Sequence, residues 1–302
     1  MTHDHKHGMN NHNRAFAIGV ILNVLFVFIE AGYGFIAGSL ALIADAGHNL
    51  SDVLSLLLAW GASLLASKKP TKKRTYGFRR VTILTSLVSA LFLLVTLGGI
   101  AWESVRRFFD PQPVKEIIII VVAAIGVVIN SITALLFISG KKHDLNLKGA
   151  YLHMAADAGV SLGVVIAGIA MMLTGRLWID PAISILIVVI ILIATWGLLR
   201  NSINLSIDAV PEGIDLCEIE NYLIGLKSVS CTHDLHVWAL STTETALTVH
   251  LVTTRNSIDN TFLIKIQKHL HDHFGIGHTT IQIEQESSEN NCRLNRPECV
   301  QI

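Results

Sequence analysis

Residues 44–52 read ADAGHNLSD and residues 153–157 read HMAAD; both stretches lie inside long apolar runs, and together they decide the fold. In each, a histidine precedes an aspartate by four residues, His48 before Asp52 and His153 before Asp157. In an α-helix that spacing stacks the two side chains on one face. A single such pair reads as a hydrogen bond that quiets two polar groups inside a membrane. Two copies on different spans read otherwise, because each ionisable group at mid-bilayer depth costs about 2.5–3.5 kcal/mol on insertion scales. Two helices can bring two imidazoles and two carboxylates to one point. That is a tetrahedral N2O2 shell, which zinc favours, with cobalt and other divalent transition metals as competitors.

Composition agrees with a membrane setting. The chain has 302 residues, 51% of them hydrophobic and 15% charged, with mean hydropathy +0.54. This excludes an ordinary soluble enzyme and a disordered chain. Lysine plus arginine balance aspartate plus glutamate at 23 each. With no basic field, no nucleic-acid partner is expected. The opening MTHDHKHGMNNHNR is polar and runs into an apolar stretch long enough to span, so no cleavable signal is expected. Its His3, His5, His7 and His12 read as a mobile tail able to hold metal loosely.

Six apolar segments follow, at about 15–37, 40–66, 81–105, 114–138, 149–174 and 178–199, each near or above the roughly 20 residues a bilayer requires. Lys68, Lys69, Lys72, Lys73, Arg74, Arg79 and Arg80 crowd the second loop, and Lys141, Lys142 and Lys148 the fourth. Both loops are therefore expected in the cytoplasm, which with six spans puts both termini there. The second span descends and the fifth ascends, so the two His–Asp pairs are expected to meet near the middle of a core about 30 Å thick. Glu30, Asn23, Asp45, Asn49 and Asn130 are further intramembrane polar groups, read either as support for the site or as interhelical hydrogen bonds. Gly34 with Gly38 and Gly159 with Gly163 suit close helix packing. Trp102 and Trp178 fall where an outer aromatic belt would lie.

After about residue 204 the pattern changes to a small soluble domain. A helix at about 215–226, alternating runs at 229–240 and 244–253, a helix at about 257–274 and a run at 279–284 give the order αββαβ. That order suggests a ferredoxin-like α+β layer. At roughly 80 residues its core is small, so packing against a second copy is expected. His233, His250, His278 and Glu284 are candidates for a second, cytoplasmic metal site. His236, three residues from His233 and so expected on the opposite strand face, is the alternate. Packing or surface histidines are the competing reading. His269, His271 and His273 read as a solvated helix face. The four cysteines, Cys217, Cys231, Cys292 and Cys299, all follow the last span and are expected to be thiols if that region is cytosolic. The division expected is a histidine-rich tail at 1–13, a six-helix all-α transmembrane domain at 14–203, a ferredoxin-like cytoplasmic domain at 204–286 and a C-terminal tail at 287–302.

With these residues in place the chain resembles the cation diffusion facilitators, and within them the zinc-type bacterial proton-coupled exporters. The resemblance rests on SLALIADAGHNLSDV (39–53), YGFRR (76–80), GAYLHMAADAGVS (149–161), WIDPAIS (178–184), VPEGID (210–215) and HDLHVWAL (233–240), in order around six spans. It implies a homodimer, a transport site at His48, Asp52, His153 and Asp157, and a cytoplasmic domain that binds metal and steadies the dimer. The loop between spans two and three holds lysine and arginine where some members carry a further histidine and aspartate site. The long histidine-rich loop of many eukaryotic members is missing too, with His143 alone between spans four and five.

The function expected is export of Zn2+ from the cytosol in exchange for protons, cadmium and cobalt being possible further cargo. Zn2+ is then both transported and regulatory ion, no prosthetic group is needed, and the bilayer of a bacterial inner membrane is the expected location. A membrane metalloenzyme is disfavoured, since the chain has no His-Glu-x-x-His helix. A zinc sensor or scaffold that binds without transporting is the alternative, separated from a transporter by zinc accumulation in sealed vesicles.

Overall fold

The computed structural model describes residues 24–137, 145–254 and 260–285. The histidine tail 1–13, Asn23, His143, Cys292 and Cys299 lie outside them. Six helices come first: α1 (Val24–Ala37 as described), then α2 (Leu40–Ala66), α3 (Val81–Phe109), α4 (Glu116–Phe137), α5 (Leu145–Thr174) and α6 (Ile179–Ser206). Five of these, α2 to α6, are long and apolar enough to cross a membrane among the described residues, and α1 is apolar but shorter. Leucine, isoleucine and alanine carry these helices, and the prolines stay at their edges. Pro70, Pro111 and Pro113 lie in loops, and Pro181 sits in the first turn of α6, where a missing N–H costs nothing. Gly38, at φ +69, makes the tight turn from α1 to α2.

The chain divides into two compact units, residues 1–58 with 88–197, and residues 59–87 with 198–302. The first is held by a core in which Phe26, Leu42, Leu97, Ile119 and Met171 are fully buried. Helices α4 and α5 approach closely because glycines remove the bulk between them. A Cβ on Gly126 would fall 3.1 Å from Ser161 Oγ and 2.8 Å from Phe26, and one on Gly168 would fall 2.7 Å from Ile120. The packing role expected of Gly159 and Gly163 is not seen among the described residues: a Cβ on either would meet nothing there within 4 Å. Gly34 does lie against α2: a Cβ there would fall 3.1 Å from Ile43.

A carboxylate pins the start of α2. Asp180, buried at the head of α6, accepts from the backbone N–H of Leu40 at 2.8 Å and of Ala41 at 3.4 Å, and from the Ser39 hydroxyl. It thus satisfies donors that every helix N-terminus leaves open and places negative charge at the positive end of the dipole. Arg107 donates to Gly38 O at 2.7 Å on the same turn.

In the second unit, α7 (Leu216–Ile224), β1 (Val229–Ala239), β2 (Thr245–Thr253), α8 (Asn260–Phe274) and β3 (Ile276–Gln285) follow in the αββαβ order read from the sequence. The sheet has the order β1-β2-β3. β1 and β2 are antiparallel, and β2 and β3 are parallel with α8 as the crossover. Asp215 caps α7 by accepting from Cys217 N and Glu218 N. Leu247, Val249 and Leu251 alternate toward the helices and pack with Ile219, Leu223, Ile266 and Leu270, all fully buried. Each such side chain contributes about 1.5–3 kcal/mol. The next residues of β2, Thr248 and His250, therefore face the other way. Cys217 is a free thiol, whereas Cys231 is disulfide-bonded, which departs from the four thiols expected.

Candidate metal centre

The first cluster is built like a ladder between antiparallel α2 and α5. Counting down α2 and up α5, successive turns face one another: Asp45 with Ser161, His48 with Asp157, and Asp52 with His153. Ser161 Oγ donates to Asp45 Oδ2 at 2.9 Å. His48 Nε2 lies 3.5 Å from Asp157 Oδ1, and His153 Nε2 lies 3.0 Å from Asp52 Oδ2. Along the helices, His48 Nε2 is 3.6 Å from Asp52 Oδ2 and His153 Nε2 is 3.6 Å from Asp157 Oδ2. The structure brings together all four side chains that the helical spacing singled out.

Those separations are of the size found between metal ligands, with Asp157 meeting His48 through Oδ1 and His153 through Oδ2. Ligand bonds of about 2.0–2.1 Å to a tetrahedral zinc put neighbouring donor atoms roughly 3.3 Å apart. His48, His153 and Asp157 form a group with ligand atoms all within 4.8 Å of one another; Asp52 lies outside that group but touches both imidazoles. Asp52 Oδ2 and Asp157 Oδ2 are buried and make no aligned hydrogen bond among the described residues, the imidazoles being their nearest positive or donor groups, and buried carboxylate oxygens are stabilised by a cation. Exposure is uneven. His48 and Asp157 are 16% and 3% exposed, Asp52 and His153 37% and 43%. Both open members lie toward the end of the bundle where α2 finishes and α5 begins.

Polar neighbours brace the ladder. Asn49 donates to Glu30 Oε2 at 3.2 Å, and Glu30 and Asp45 are themselves within hydrogen-bonding reach. Both carboxyls are fully buried. This joins α1 to the helix that carries His48 and Asp52.

The second cluster lies on the open face of the sheet. His233 Nε2 is 3.2 Å from Glu284 Oε2, His250 Nδ1 is 2.9 Å from Glu284 Oε1, and the two rings are 4.8 Å apart. Gln282 donates to Glu284 Oε1 at 3.0 Å. Partial burial pushes the Glu284 carboxyl up, but hydrogen bonds from His233 and His250 outweigh it and hold it below its usual range. Two imidazoles and one carboxylate would suit a zinc ion whose fourth position stays open.

Two placements in this domain differ from the strand-period reading. β1 bulges between His233 and His236, three residues there spanning two of β2, since His233 pairs with His250 and His236 with Thr248. His236 therefore shares a face with His233 instead of opposing it. The bulge turns on Asp234, at φ +54, whose carboxylate meets His236 Nε2 at 2.9 Å and His250 Nε2 at 3.8 Å. The hydrogen bond with His236 is the main reason its pKa is lowered. His278 stands apart from the trio: it pairs with Ala246 while Gln282 pairs with His250, a separation of about 13 Å along the strand. Its ring packs edge-on against Tyr76 at 5.5 Å. Asp180 and the bulge at Asp234 are what the sequence reading missed; the Asp-Pro of WIDPAIS signalled the first, and nothing in local periodicity signals the second.

A helical membrane domain with a half-buried, helix-borne cluster of histidine and aspartate, followed by a small α+β domain with its own cluster of histidine and glutamate, has the donor chemistry of a membrane metal-handling protein. Comparison with known proteins narrows that class. Residues 16–205 match the cation efflux transmembrane domain and residues 211–286 the cation efflux protein, cytoplasmic domain. The metal cation efflux system protein CzcD of Cupriavidus metallidurans is 37% identical over 93% of this chain and 89% of its own. The cadmium, cobalt and zinc/H(+)-K(+) antiporter of Bacillus subtilis is 34% identical over 98% and 96%. The zinc transporter ZitB of Escherichia coli is 33% identical over 98% and 96%. A solved metal-bound C-terminal domain of the CzcD transporter is 37% identical, covering 24% of this chain and 99% of that one, with TM-score 0.22. The chain belongs to the cation efflux family, the cation diffusion facilitators, a family of transporters.

Proposed function

We propose that the protein exports Zn2+ from the cytosol in exchange for protons, with His48, Asp52, His153 and Asp157 as its transport site. The observation that carries this reading is the closed ring of 3.0–3.6 Å donor separations between two membrane helices. Metal binding requires neutral imidazoles and ionised carboxylates, so protons and zinc contend for the same lone pairs. Protons arriving from outside expel the metal; cytosolic zinc expels the protons. Two imidazole nitrogens favour zinc over manganese and magnesium, and the names of the Bacillus and Cupriavidus relatives support cadmium and cobalt as further cargo.

With both termini in the cytoplasm and α1 as the first of six spans, Asp52 and His153 lie on the cytoplasmic side of the ladder. Their exposure then makes this the inward-facing arrangement, open to cytosolic metal. The domain division at 14–203 and 204–286, a bacterial inner membrane and a ferredoxin-like cytoplasmic domain that pairs two copies complete the reading. His233, His250 and Glu284 would hold a regulatory zinc in that domain.

The test is proton-driven zinc flux in sealed vesicles. Wild-type protein accumulates zinc against its gradient and Asp157→Ala does not. Folded Asp52→Ala and Asp157→Ala proteins that transport normally would remove the site assignment. Zinc binding without accumulation in the wild type would leave a sensor or scaffold instead.

A further inference from the structure

Asn130, on α4, is fully buried in a membrane helix, and neither its Nδ2 nor its Oδ1 has a hydrogen-bond partner among the described residues. A carboxamide so placed forfeits hydrogen bonds it made to water, about 1–3 kcal/mol for each unpaired group.

The packing of α4 on α5 shows what it faces. These helices run antiparallel, and two close contacts fix their register: Gly126 against Ser161, and Ile120 against Gly168. Stepping one turn the other way from the first contact leads from Gly126 to Asn130 on α4 and from Ser161 to Asp157 on α5. Asn130 and Asp157 are therefore level on facing helices. Asp157 Oδ2 is likewise buried and accepts no aligned hydrogen bond among the described residues, His153 Nε2 standing 3.6 Å away, while Oδ1 is the oxygen turned to His48. An amide without a hydrogen bond and a carboxylate oxygen with room for a donor thus stand at one depth.

We propose that Asn130 is a positioning and specificity residue of the transport site, its Nδ2 donating to Asp157 Oδ2 when the site is loaded. This rests on the transport-site reading above. Held in that way, Asp157 offers the metal Oδ1 alone, and the shell stays four-coordinate. Without the amide, Asp157 is free to chelate through both oxygens, which raises the coordination number and suits a larger cation. Asn130 then favours zinc over cadmium.

The experiment measures zinc and cadmium affinity by chelator competition, and thermal stability, on full-length protein in a Glu284→Ala background that silences the cytoplasmic cluster. Asn130→Leu and the smaller Asn130→Ala are compared with Asn130 itself. The expected result is a 10–100-fold loss of zinc affinity, the range for residues that orient a metal ligand, a smaller loss for cadmium, and a Tm no lower than the parent's, because two unpaired polar atoms have been removed. Zinc affinity within twofold of the parent in a folded Asn130→Ala protein overturns the proposal. So does a failure of both variants to fold, which would make Asn130 an interhelical strut. Asp157→Ala in the same background separates the two readings: if it leaves zinc affinity intact, the transport-site assignment fails; if it abolishes binding while Asn130→Ala has no effect, this inference alone fails.

Discussion

The two clusters of histidine and carboxylate are built on different backbones. Between α2 and α5 each helix contributes a histidine and an aspartate four residues apart, so two rigid rods bring four donors together with no loop involved. On the sheet, His233, His250 and Glu284 come one each from three strands, and their face depends on pairing register and on a bulge. The helical cluster is buried on one side and open on the other; the sheet cluster is part-exposed throughout. Under the proposed function, the half-buried helical cluster would bind cargo and release it against protons, and the part-exposed sheet cluster would report on metal in its own compartment.

The largest expected difference between them is in flux. Asp157→Ala should reduce proton-driven zinc uptake by at least about 100-fold, since it removes a ligand outright. Glu284→Ala should reduce it no more than about tenfold while abolishing metal binding in the cytoplasmic domain. Equal losses from both changes, measured in the same vesicles, would erase the distinction.

A smaller effect tests how the helical rods are held. Asp180→Ala leaves Leu40 N and the Ser39 hydroxyl without their acceptor, at a cost of about 1–2 kcal/mol for a helix cap. The expected outcome is a lower Tm in detergent and weaker zinc binding through misplacement of His48 and Asp52. An unchanged Tm would mean that Gly38 and Arg107 alone fix the start of α2.

The sheet cluster should show a pH dependence of its own. Glu284 is held below its usual range by His233 and His250, so its contribution to stability is present above the unfolded value, about 4.3, and is lost as pH falls through the folded one. Tm of the full chain should therefore fall as pH is lowered below about 4.5, and Glu284→Gln should flatten that part of the curve. The slope should be shallow, because solvent near the cluster screens the interaction.

How much of this was legible beforehand follows from the same contrast. Helical spacing is local: the four-residue interval put His48 over Asp52 and His153 over Asp157, and loop charge placed the two pairs at one depth. The order of elements, αββαβ, was legible too, as was two-residue alternation along β2, where Leu247, Val249 and Leu251 prove to be buried. What failed was register. Strict alternation opposed His236 to His233, but a left-handed residue at Asp234 restores the face, and one sequence gives no sign of it. Alternation likewise left the position of His278 along β3 open, since that is set by which residue of β2 it meets. Gly159 and Gly163 show the same limit in the membrane: a small-residue interval says that close approach is permitted, not where it occurs.

His278 supplies the smallest expected effect and the sharpest check on strand register. It pairs with Ala246, not with the end of β2 that carries His250, and its ring lies on Tyr76. His278→Ala should therefore leave the affinity of the cytoplasmic cluster within about twofold of wild type, whereas His250→Ala removes a ligand and should lower it by a factor of 10–100 or more. The control lies in stability, because His278→Ala loses an edge-on ring contact of about 0.5–1.5 kcal/mol and should lower Tm slightly. A zinc affinity that drops together for both variants would mean that β3 shifts along β2 by four residues when metal binds. A parallel pair can make such a shift only by breaking every hydrogen bond between them, so the metal-bound sheet is expected to keep the register seen here.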